Sequence, residues 1–367
     1  MQIPQLTFTR FLAAAVVLVF HGARGTYPFT VYPGRYLIEY GSVAVVYFFV
    51  LSGFILTITY QSKRERSGTI NRRQFWMARF ARIFPLYFFA LLVTLFVLTV
   101  LYAQTVTPAS ILASLTLMQA WIPSLADTLN GPGWSLSVEM FFYVIFPWLL
   151  PWLDQFSNRV LLALTVGGWL FGVGLFYVVA NHLIPINLSA EAYNNLLNYS
   201  PWIHVASFIN GCISGLLFWR YVRQHPASAN RNRLSWGMLI LGAVGLIGIG
   251  SDIFIMQYAQ GGVLTPVFIL FITGLSLQTN TPITKLFSWR PLVYLGEISY
   301  GIYILQLPVI KLFKKIDPLG LGDTFLRDIF TFVALFVVTM VCYHLIEKPA
   351  QAFIQTRWNT RLVRGKL

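Results

Sequence analysis

Arg10 and His21 are the two ends of an otherwise apolar segment, RFLAAAVVLVFH. Eleven residues at 100° each bring His21 back to within about 20° of the Arg10 face, about 16 Å further along a helix. A guanidinium binds phosphate oxygens, and an imidazole can accept a proton near neutral pH. The spacing therefore predicts one helix with a candidate phosphate ligand and a candidate base on the same face, at different depths.

A carboxylate, Glu139, is placed in a second apolar segment, GPGWSLSVEMFFYVIFPW. A carboxylate beside an imidazole fixes its tautomer and stabilises the imidazolium, so Glu139 and His21 form a candidate general-base pair. Simpler interpretations remain open: His21 bonded to a loop carbonyl, and Glu139 in the first turns of a helix capped by Ser135. Glu297 and Glu347 are further ionisable residues in apolar segments, where such groups are candidate functional sites.

The segment KRERSGTINRRQFWMARFARIFPLY carries seven basic residues between Lys63 and Arg82. Arg79 and Arg82 are three residues apart and share a helix face. Arginine binds phosphate with two parallel hydrogen bonds, which favours a phosphate-binding role for this segment. Contacts with lipid head groups and the excess of positive charge in cytoplasmic loops are the alternative explanation.

The composition is that of an integral membrane protein. The chain is 57% hydrophobic and only 10% charged, whereas soluble domains carry about 25% charged residues. The net charge of +14 could indicate a nucleic-acid partner, but the basic residues are concentrated in alternate loops, as the positive-inside rule requires. Cys212 and Cys342 both lie in apolar runs, so we expect neither a disulfide framework nor a metal site.

Apolar runs of about 20 residues predict an all-α polytopic fold with about ten transmembrane helices. The predicted spans are 6–21, 42–60, 84–104, 134–153, 160–180, 201–219, 235–255, 263–278, 292–311 and 328–346. With both termini in the cytoplasm, most of the 26 basic residues face the cytoplasm. Counting the short run 110–121 as a span would move every later basic loop and the tail to the outer side of the membrane. We therefore predict an interfacial or re-entrant helix there.

We predict one transmembrane domain, residues 1–346, followed by a basic cytoplasmic tail, residues 347–367. Ser52 and Gly53 lie in the middle of the second span, in FFVLSGFIL. Small residues at such a position indicate close helix packing, or they line a narrow passage. The sequence alone does not choose between the two.

Several segments together resemble the membrane acyltransferase 3 family, which O-acylates sugars of bacterial surface polysaccharides. The matching segments, spread over almost the whole chain, are Arg10 with His21, FFVLSGFIL, RRQFWMARFARIFPLY, WSLSVEMFFYVIFP, FINGCISG, LGEISYGIYILQLPV and YHLIEKP. The predicted ten spans agree with the core of that family. The order and spacing of these segments make the resemblance specific.

The resemblance implies an acyl-CoA-dependent O-acyltransferase of the bacterial cytoplasmic (inner) membrane, with acetyl-CoA as the default co-substrate and no metal. The acceptor would be an exopolysaccharide, a lipopolysaccharide or a lipid-linked glycan, and membrane lipids would be the other partners. His21 and Glu139 would be catalytic. The residues expected near the coenzyme A phosphates are Arg10, Arg72, Arg73, Arg79 and Arg82, and those expected along the substrate passage are Ser52, Trp134, Ser135, Tyr300 and Gln306.

The chain departs from the family at Gln306, in YILQLP, where many members carry histidine. Glutamine forms hydrogen bonds but does not take a proton at neutral pH. We therefore expect Gln306 to support the site and His21 to be the base or the acyl carrier. No esterase-type domain accompanies the segments, so we expect the membrane part and its outer loops to select the acceptor.

Two other classes of function remain open. A polytopic transporter of a glycan or a small polar solute would also place charges within the membrane, although the sequence shows no clear inverted repeat of broken spans. A lipid-binding structural protein would not need so many histidines and glutamates in its spans. The sequence specifies neither the acceptor sugar and its hydroxyl nor the acyl group.

Overall fold

The structure, a computed structural model, describes residues 3–23, 26–31, 41–225, 229–250, 258–322 and 324–364, and every regular element in these ranges is helical. The α-helices are α1 (Pro4–Gly22), α2 (Ala44–Ser67), α3 (Arg72–Phe96), α4 (Pro108–Leu115), α5 (Gly133–Leu153), α6 (Asn158–Ala180), α7 (Ala190–Tyr199), α8 (Pro201–Gln224), α9 (Ala229–Gly250), α10 (Thr265–Leu277), α11 (Pro282–Phe287), α12 (Arg290–Ile316), α13 (Phe325–Cys342) and α14 (Lys348–Arg364). Short π-helical turns extend α3 over Val97–Leu101 and join α13 to α14 over Tyr343–Glu347.

Eight helical segments in the described part of the chain are long and apolar enough to cross a membrane. They are Pro4–Gly22, Gly41–Ser67, Arg72–Leu101, Gly133–Leu153, Asn158–Ala180, Ala190–Gln224, Arg290–Ile316 and Phe325–Arg357. They confirm the predicted all-α polytopic membrane fold and coincide with eight of the predicted spans.

The other two predicted spans are not among these eight segments. The span 263–278 corresponds to α10, whose 13 residues are about 20 Å long and fall short of the ~30 Å hydrocarbon core of a bilayer. The span 235–255 corresponds to α9, and its last residues, 251–255, lie outside the described residues, as does the end of the predicted tail, 365–367. Within the described residues, eight of the ten predicted spans therefore meet the criteria of length and apolarity.

The run 110–121 is not a span, as the charge distribution predicts. It contains the last residues of α4, an eight-residue helix of about 12 Å, and the 3-10 turn Gln119–Trp121. Thr107 starts α4 by accepting a hydrogen bond from the Ser110 backbone N–H, and Pro108 occupies the first helical position, where its missing N–H costs nothing.

Ser135 does not cap the helix that carries Glu139, so that sequence-based alternative is wrong. Helix α5 begins at Gly133, and Ser135 lies inside its first turn. The Ser135 hydroxyl donates to the Pro132 carbonyl oxygen at 2.9 Å. The Ser135 hydroxyl is therefore directed back toward the residue that precedes the helix.

The chain forms two compact units. Unit 1 comprises Met1–Ala13, Ser42–Ile70 and Ile145–Glu297, and unit 2 comprises Ala14–Gly41, Asn71–Val144 and Ile298–Leu367. Within unit 2, α14 continues from the preceding π turn and packs against α3. The cytoplasmic location of this C-terminal segment stays a prediction.

Glycines determine how α2 packs against α8 in unit 1. A Cβ added to Gly53 would lie 2.3 Å from the Phe208 carbonyl oxygen, and one added to Gly211 would lie 2.2 Å from the Val50 carbonyl oxygen. Gly215 approaches Phe54 in the same way, at 2.8 Å. The small residue Gly53 therefore serves close helix packing, which is the first of the two interpretations left open by the sequence.

Asp154, directly after α5, joins α2 and α8 at one end of unit 1. Its carboxylate accepts hydrogen bonds from Arg220 at 2.9 Å and Gln61 at 2.9 Å, and it forms an ion pair with Arg64. Burial raises the pKa of the Asp154 carboxyl, but these donors outweigh it and hold the pKa below its ordinary value. Arg64 and Arg220 therefore have a structural counter-ion in unit 1.

Candidate functional site

Arg72 and Arg73 are the first two residues of α3 and are exposed. Asn71 caps the helix by accepting a hydrogen bond from the Gln74 backbone N–H at 3.0 Å. The N-terminus of a helix carries partial positive charge, so two arginines there are electrostatically unfavourable for the helix itself. The same arrangement attracts anions.

Arg79 and Arg82 lie further along α3 and are partly buried. The Arg79 guanidinium is 5.9 Å from the centre of the Tyr143 ring, and its Nε is buried with no hydrogen-bond partner among the described residues. Arg82 lies 3.5 Å from a carboxylate oxygen of Glu347, whose side chain is only 2% exposed. The arginines of α3 thus extend from an exposed end into the interior of unit 2.

Tyr300 of α12 is the central residue of this region of unit 2. Its hydroxyl donates to the Ile83 carbonyl oxygen at 2.8 Å. It is also close enough for electrostatic interaction to Glu347, Glu139, Tyr87 and Arg82. Tyr300 therefore contacts α3 and lies within electrostatic range of charged groups of α3, α5 and the Tyr343–Glu347 turn.

Glu139 lies on the same side of unit 2 as the α3 arginines. It accepts a hydrogen bond from the hydroxyl of Tyr143, one turn further along α5. Tyr143 is also beside Arg79, and its carbonyl oxygen accepts a hydrogen bond from Trp76 Nε1 at 2.9 Å. These contacts group Glu139 with the basic segment.

His21 lies at a different level of unit 2. The next residue, Gly22, packs against Phe332 of α13 and Ile310 of α12. Ile310 follows Tyr300 by ten residues in α12, which is about 15 Å along the helix. The predicted pairing of His21 with Glu139 therefore stays a prediction, and the described neighbours of Glu139 are those of the α3 basic segment.

Hydrogen-bonded side chains occupy the interval between these two levels. The hydroxyls of Ser135 and Tyr303 are 2.8 Å apart. We call the polar residues of this region the polar column; its members are Arg82, Glu347, Tyr300, Glu139, Ser135, Tyr303, Gln119, Asn130 and Gln306. All of them belong to unit 2.

The structure therefore brings together many, but not all, of the predicted site residues. Unit 2 contains His21, Glu139, Arg72, Arg73, Arg79, Arg82, Trp134, Ser135, Tyr300 and Gln306, whereas Arg10 and Ser52 belong to unit 1. In unit 1, Arg10 is partly buried and follows Thr9, which accepts a hydrogen bond from the Tyr47 hydroxyl. The roles of all these residues stay predictions.

Four members of the polar column are absent from the predicted site, namely Glu347, Tyr303, Gln119 and Asn130. The signal for Glu347 was its position at the end of an apolar segment. Gln119 lies near the end of the apolar run 110–121 and Asn130 lies after it, and neither position indicates that the amide group is buried. The structure shows both with less than a tenth of their surface exposed.

A family model described as an acyltransferase domain matches residues 3–345. The peptidoglycan O-acetyltransferase OatA of Listeria monocytogenes is 26% identical over 339 residues, which cover 84% of this chain and 51% of that protein. The acyltransferase MdmB of Streptomyces mycarofaciens is 26% identical over 322 residues, covering 84% of this chain and 79% of that protein. The O-acetyltransferase OatA of Staphylococcus aureus is 22% identical over 327 residues, covering 84% of this chain and 52% of that protein.

The chain spans about half the length of the O-acetyltransferases it matches. No solved structure matches it. Because the family model covers almost the whole sequence, the chain belongs to the membrane acyltransferase 3 family.

Proposed function

We propose, from its membership of this acyltransferase family, that the chain transfers an acyl group from cytoplasmic acyl-CoA to a hydroxyl group of a bacterial surface glycan. Acetyl is the expected acyl group. Two relatives are named for O-acetyl transfer, one of them to peptidoglycan. The observation that carries the proposal is the polar column, which extends from the α3 arginines toward the level of His21.

The start of α3 is the proposed donor end. Arg72 and Arg73 add two charges to a helix N-terminus, and Arg79 adds a third further in. Phosphate groups of coenzyme A suit such a site because they accept bidentate hydrogen bonds from arginine and are stabilised by the helix dipole. The positive-inside rule puts this end of the helix in the cytoplasm, where acyl-CoA is available.

His21 is the proposed reaction centre on the acceptor side. In a direct transfer, His21 takes the proton of the acceptor hydroxyl while the oxygen attacks the thioester carbonyl. The carbon–sulfur bond then breaks, and the coenzyme A thiolate leaves and takes up a proton. In a two-step transfer, a His21 ring nitrogen attacks the thioester carbonyl, the carbon–sulfur bond breaks, and the coenzyme A thiolate leaves and takes up a proton. The acceptor hydroxyl oxygen then takes the acyl group from the imidazole, and the hydroxyl proton passes to the ring nitrogen that is released.

Glu139 is best assigned to the donor half of the site. Its hydrogen bond from Tyr143 and its closeness to Tyr300 place it among residues that also contact Arg79 and Arg82 or their partners. A carboxylate there would balance the charge of the arginines and orient the two tyrosines. This assignment replaces a direct contact between Glu139 and His21 in the proposed mechanism.

A reconstituted transfer assay tests the proposal. Purified protein in nanodiscs is given radiolabelled acetyl-CoA and a panel of acceptors, namely soluble peptidoglycan fragments and methyl glycosides of common hexoses. We expect a hydroxylamine-labile ester on at least one acceptor. The variant His21→Ala should lose at least about 100-fold in turnover, the lower range for removal of a general base.

Two results would contradict the proposal. Absence of ester on every acceptor would remove the glycan acyltransferase assignment, and turnover near that of the wild type in His21→Ala would remove His21 from the mechanism. Trapping of labelled protein separates the two routes, because only the two-step transfer predicts an acyl-enzyme that is missing in His21→Ala.

A further inference from the structure

Three buried amide side chains of the polar column, Gln119, Asn130 and Gln306, share one pattern of hydrogen bonds. Each uses its NH₂ group to donate to a main-chain carbonyl oxygen. The acceptors are, in that order, Gly133 at 2.8 Å, Ile304 at 2.9 Å and Tyr303 at 2.7 Å. Because a carbonyl only accepts hydrogen bonds, these contacts determine which end of each amide is nitrogen.

The other end of each amide is an oxygen, which can accept a hydrogen bond. The Oε1 atoms of Gln119 and Gln306 and the Oδ1 atom of Asn130 are buried, and none has a hydrogen-bond partner in the part of the chain that the structure describes. Leaving a buried polar atom unsatisfied costs about 1–3 kcal/mol. A leucine or methionine of similar size would pack in the same space without that cost, so the three oxygens are candidates for binding a hydrogen-bond donor of a ligand.

The three amides belong to one contiguous region of unit 2. Asn130 and Gln306 donate to the carbonyls of Ile304 and Tyr303, which are adjacent residues of α12. Asn130 is joined to Gln119 through Gly133, whose N–H donates to the Asn130 carbonyl at 2.8 Å. We call these three side chains the amide triad.

The amide triad is close to the level of His21. Gln306 precedes Ile310 by one helical turn, and Ile310 packs against Gly22, the neighbour of His21. Tyr300, which interacts electrostatically with Arg82 and Glu347, precedes Gln306 in α12, whereas Ile310 follows it. The triad is therefore the part of the polar column on the His21 side.

We propose that the amide triad binds hydroxyl groups of the acyl acceptor and so positions a sugar ring beside His21. A ligand that satisfies three neutral acceptor oxygens must present several O–H or N–H donors close together, and carbohydrates do so with successive ring hydroxyls. The inference rests on the proposed function. It assigns Gln119 and Asn130, which no motif indicates, to acceptor recognition, and it gives Gln306 a role that requires no proton transfer.

The test measures the KM of the acceptor in the nanodisc assay and, separately, the thermal stabilisation by acetyl-CoA. The acceptor is the glycan that the wild type acetylates best. We expect Gln306→Met and Asn130→Leu to raise the acceptor KM about tenfold each, the effect of losing one buried hydrogen bond to a ligand. Thermal stabilisation by acetyl-CoA should stay at the wild-type level in both variants. Their unliganded melting temperatures show whether the variants are folded.

Two further variants separate recognition from packing. In Gln306→Glu, a protonated carboxyl can donate its O–H to the Tyr303 carbonyl oxygen in place of the amide N–H and keep its other oxygen as the acceptor. We expect this variant to restore most of the acceptor affinity lost in Gln306→Met. Thr339→Val is the matched control: Thr339 is fully buried in unit 2, its Oγ1 has no hydrogen-bond partner among the described residues, and its side chain packs against Gly301. We expect its acceptor KM to equal that of the wild type.

Three outcomes would overturn the assignment. The first is an unchanged acceptor KM in folded Gln306→Met and Asn130→Leu. The second is an equal rise in Thr339→Val, which would show a general effect of packing. The third is loss of stabilisation by acetyl-CoA at unchanged acceptor KM. That result would mean that the triad oxygens bind the amide N–H groups of acetyl-CoA and not the acceptor. A wild type that acetylates no glycan overturns the proposed function itself, and the triad assignment with it.

Discussion

Arg72 and Arg73 stand where helix electrostatics favour acidic residues. Both begin α3, next to the positive end of its dipole. Arg64 and Arg220, in contrast, share Asp154 as a counter-ion. Arg72 and Arg73 are exposed and are followed on the same helix by Arg79 and Arg82, so this group of four arginines is the better candidate for binding phosphate.

We expect the double variant Arg72→Gln/Arg73→Gln to lose most of the thermal stabilisation that acetyl-CoA gives the wild type. Each bidentate contact between arginine and phosphate contributes about 1.5–3 kcal/mol. The measurement is the melting temperature of purified protein with increasing acetyl-CoA. The double variant should require at least about tenfold more ligand for the same shift.

The matched control for this prediction is Arg159→Gln. Arg159 is an exposed arginine in the first turn of α6, and the charge distribution predicts it on the same side of the membrane as Arg72. Its removal should leave the stabilisation by acetyl-CoA unchanged. An equal loss of this stabilisation in Arg159→Gln and in the double variant would mean that overall charge, and not a site at α3, attracts acetyl-CoA.

At the scale of helices, backbone contact determines how α2 packs against α8. Gly53, Gly211 and Gly215 let the two backbones approach so closely that a single methyl group would overlap a carbonyl oxygen. Membrane helices gain little from the hydrophobic effect against one another, so close van der Waals contact supplies much of their association. The motif FINGCISG is thus explained by packing within unit 1.

We expect Gly211→Ala to destabilise the protein by about 1–3 kcal/mol, the usual cost of overpacking. Its added Cβ would lie 2.2 Å from the Val50 carbonyl oxygen, and a backbone atom cannot move aside as a side chain can. Thermal unfolding in detergent measures the effect. Gly174→Ala in α6 is the control, because a Cβ there meets nothing within 4 Å and alanine is the better helix former.

The Gly174→Ala protein should melt at or slightly above the wild-type temperature. A melting temperature of Gly211→Ala equal to that of the wild type would mean that α2 and α8 separate without cost. The close packing would then not contribute to stability.

For the whole molecule, the charge distribution determines the expected orientation. Lysines and arginines cluster in the loops assigned to the cytoplasm, and α4, with eight residues, is too short to cross the bilayer and reverse the order. The loop before α7 should therefore be outside, and the segment between α2 and α3 inside. The proposed function depends on this orientation because it places the α3 arginines in the compartment that contains acyl-CoA.

Labelling of single cysteines checks the orientation. We expect Leu188→Cys to react with a membrane-impermeant maleimide in intact spheroplasts, and Ser67→Cys to react only after permeabilisation. Both positions are exposed, whereas the native Cys212 and Cys342 are buried, so the unmodified protein provides the background. The reverse pattern would place the α3 arginines outside and contradict an acyl-CoA site there.

The sequence by itself determined the class of fold, eight of the membrane spans, and the exclusion of 110–121 as a span. These features depend on hydropathy and on the distribution of charge along the chain, and both can be read without knowing any contact. The resemblance also indicated the family, because its motifs are short segments in a fixed order.

Only the tertiary structure decided which polar groups meet. The sequence predicted His21 as the partner of Glu139, whereas Tyr143 and Tyr300 connect it with the arginines of α3 in the structure. The sequence positions of Gln119 and Asn130 do not indicate burial, yet both donate to carbonyl oxygens inside unit 2. The physical reason is that a buried hydrogen bond depends on the positions of two segments, and the local pattern of either segment does not specify its partner.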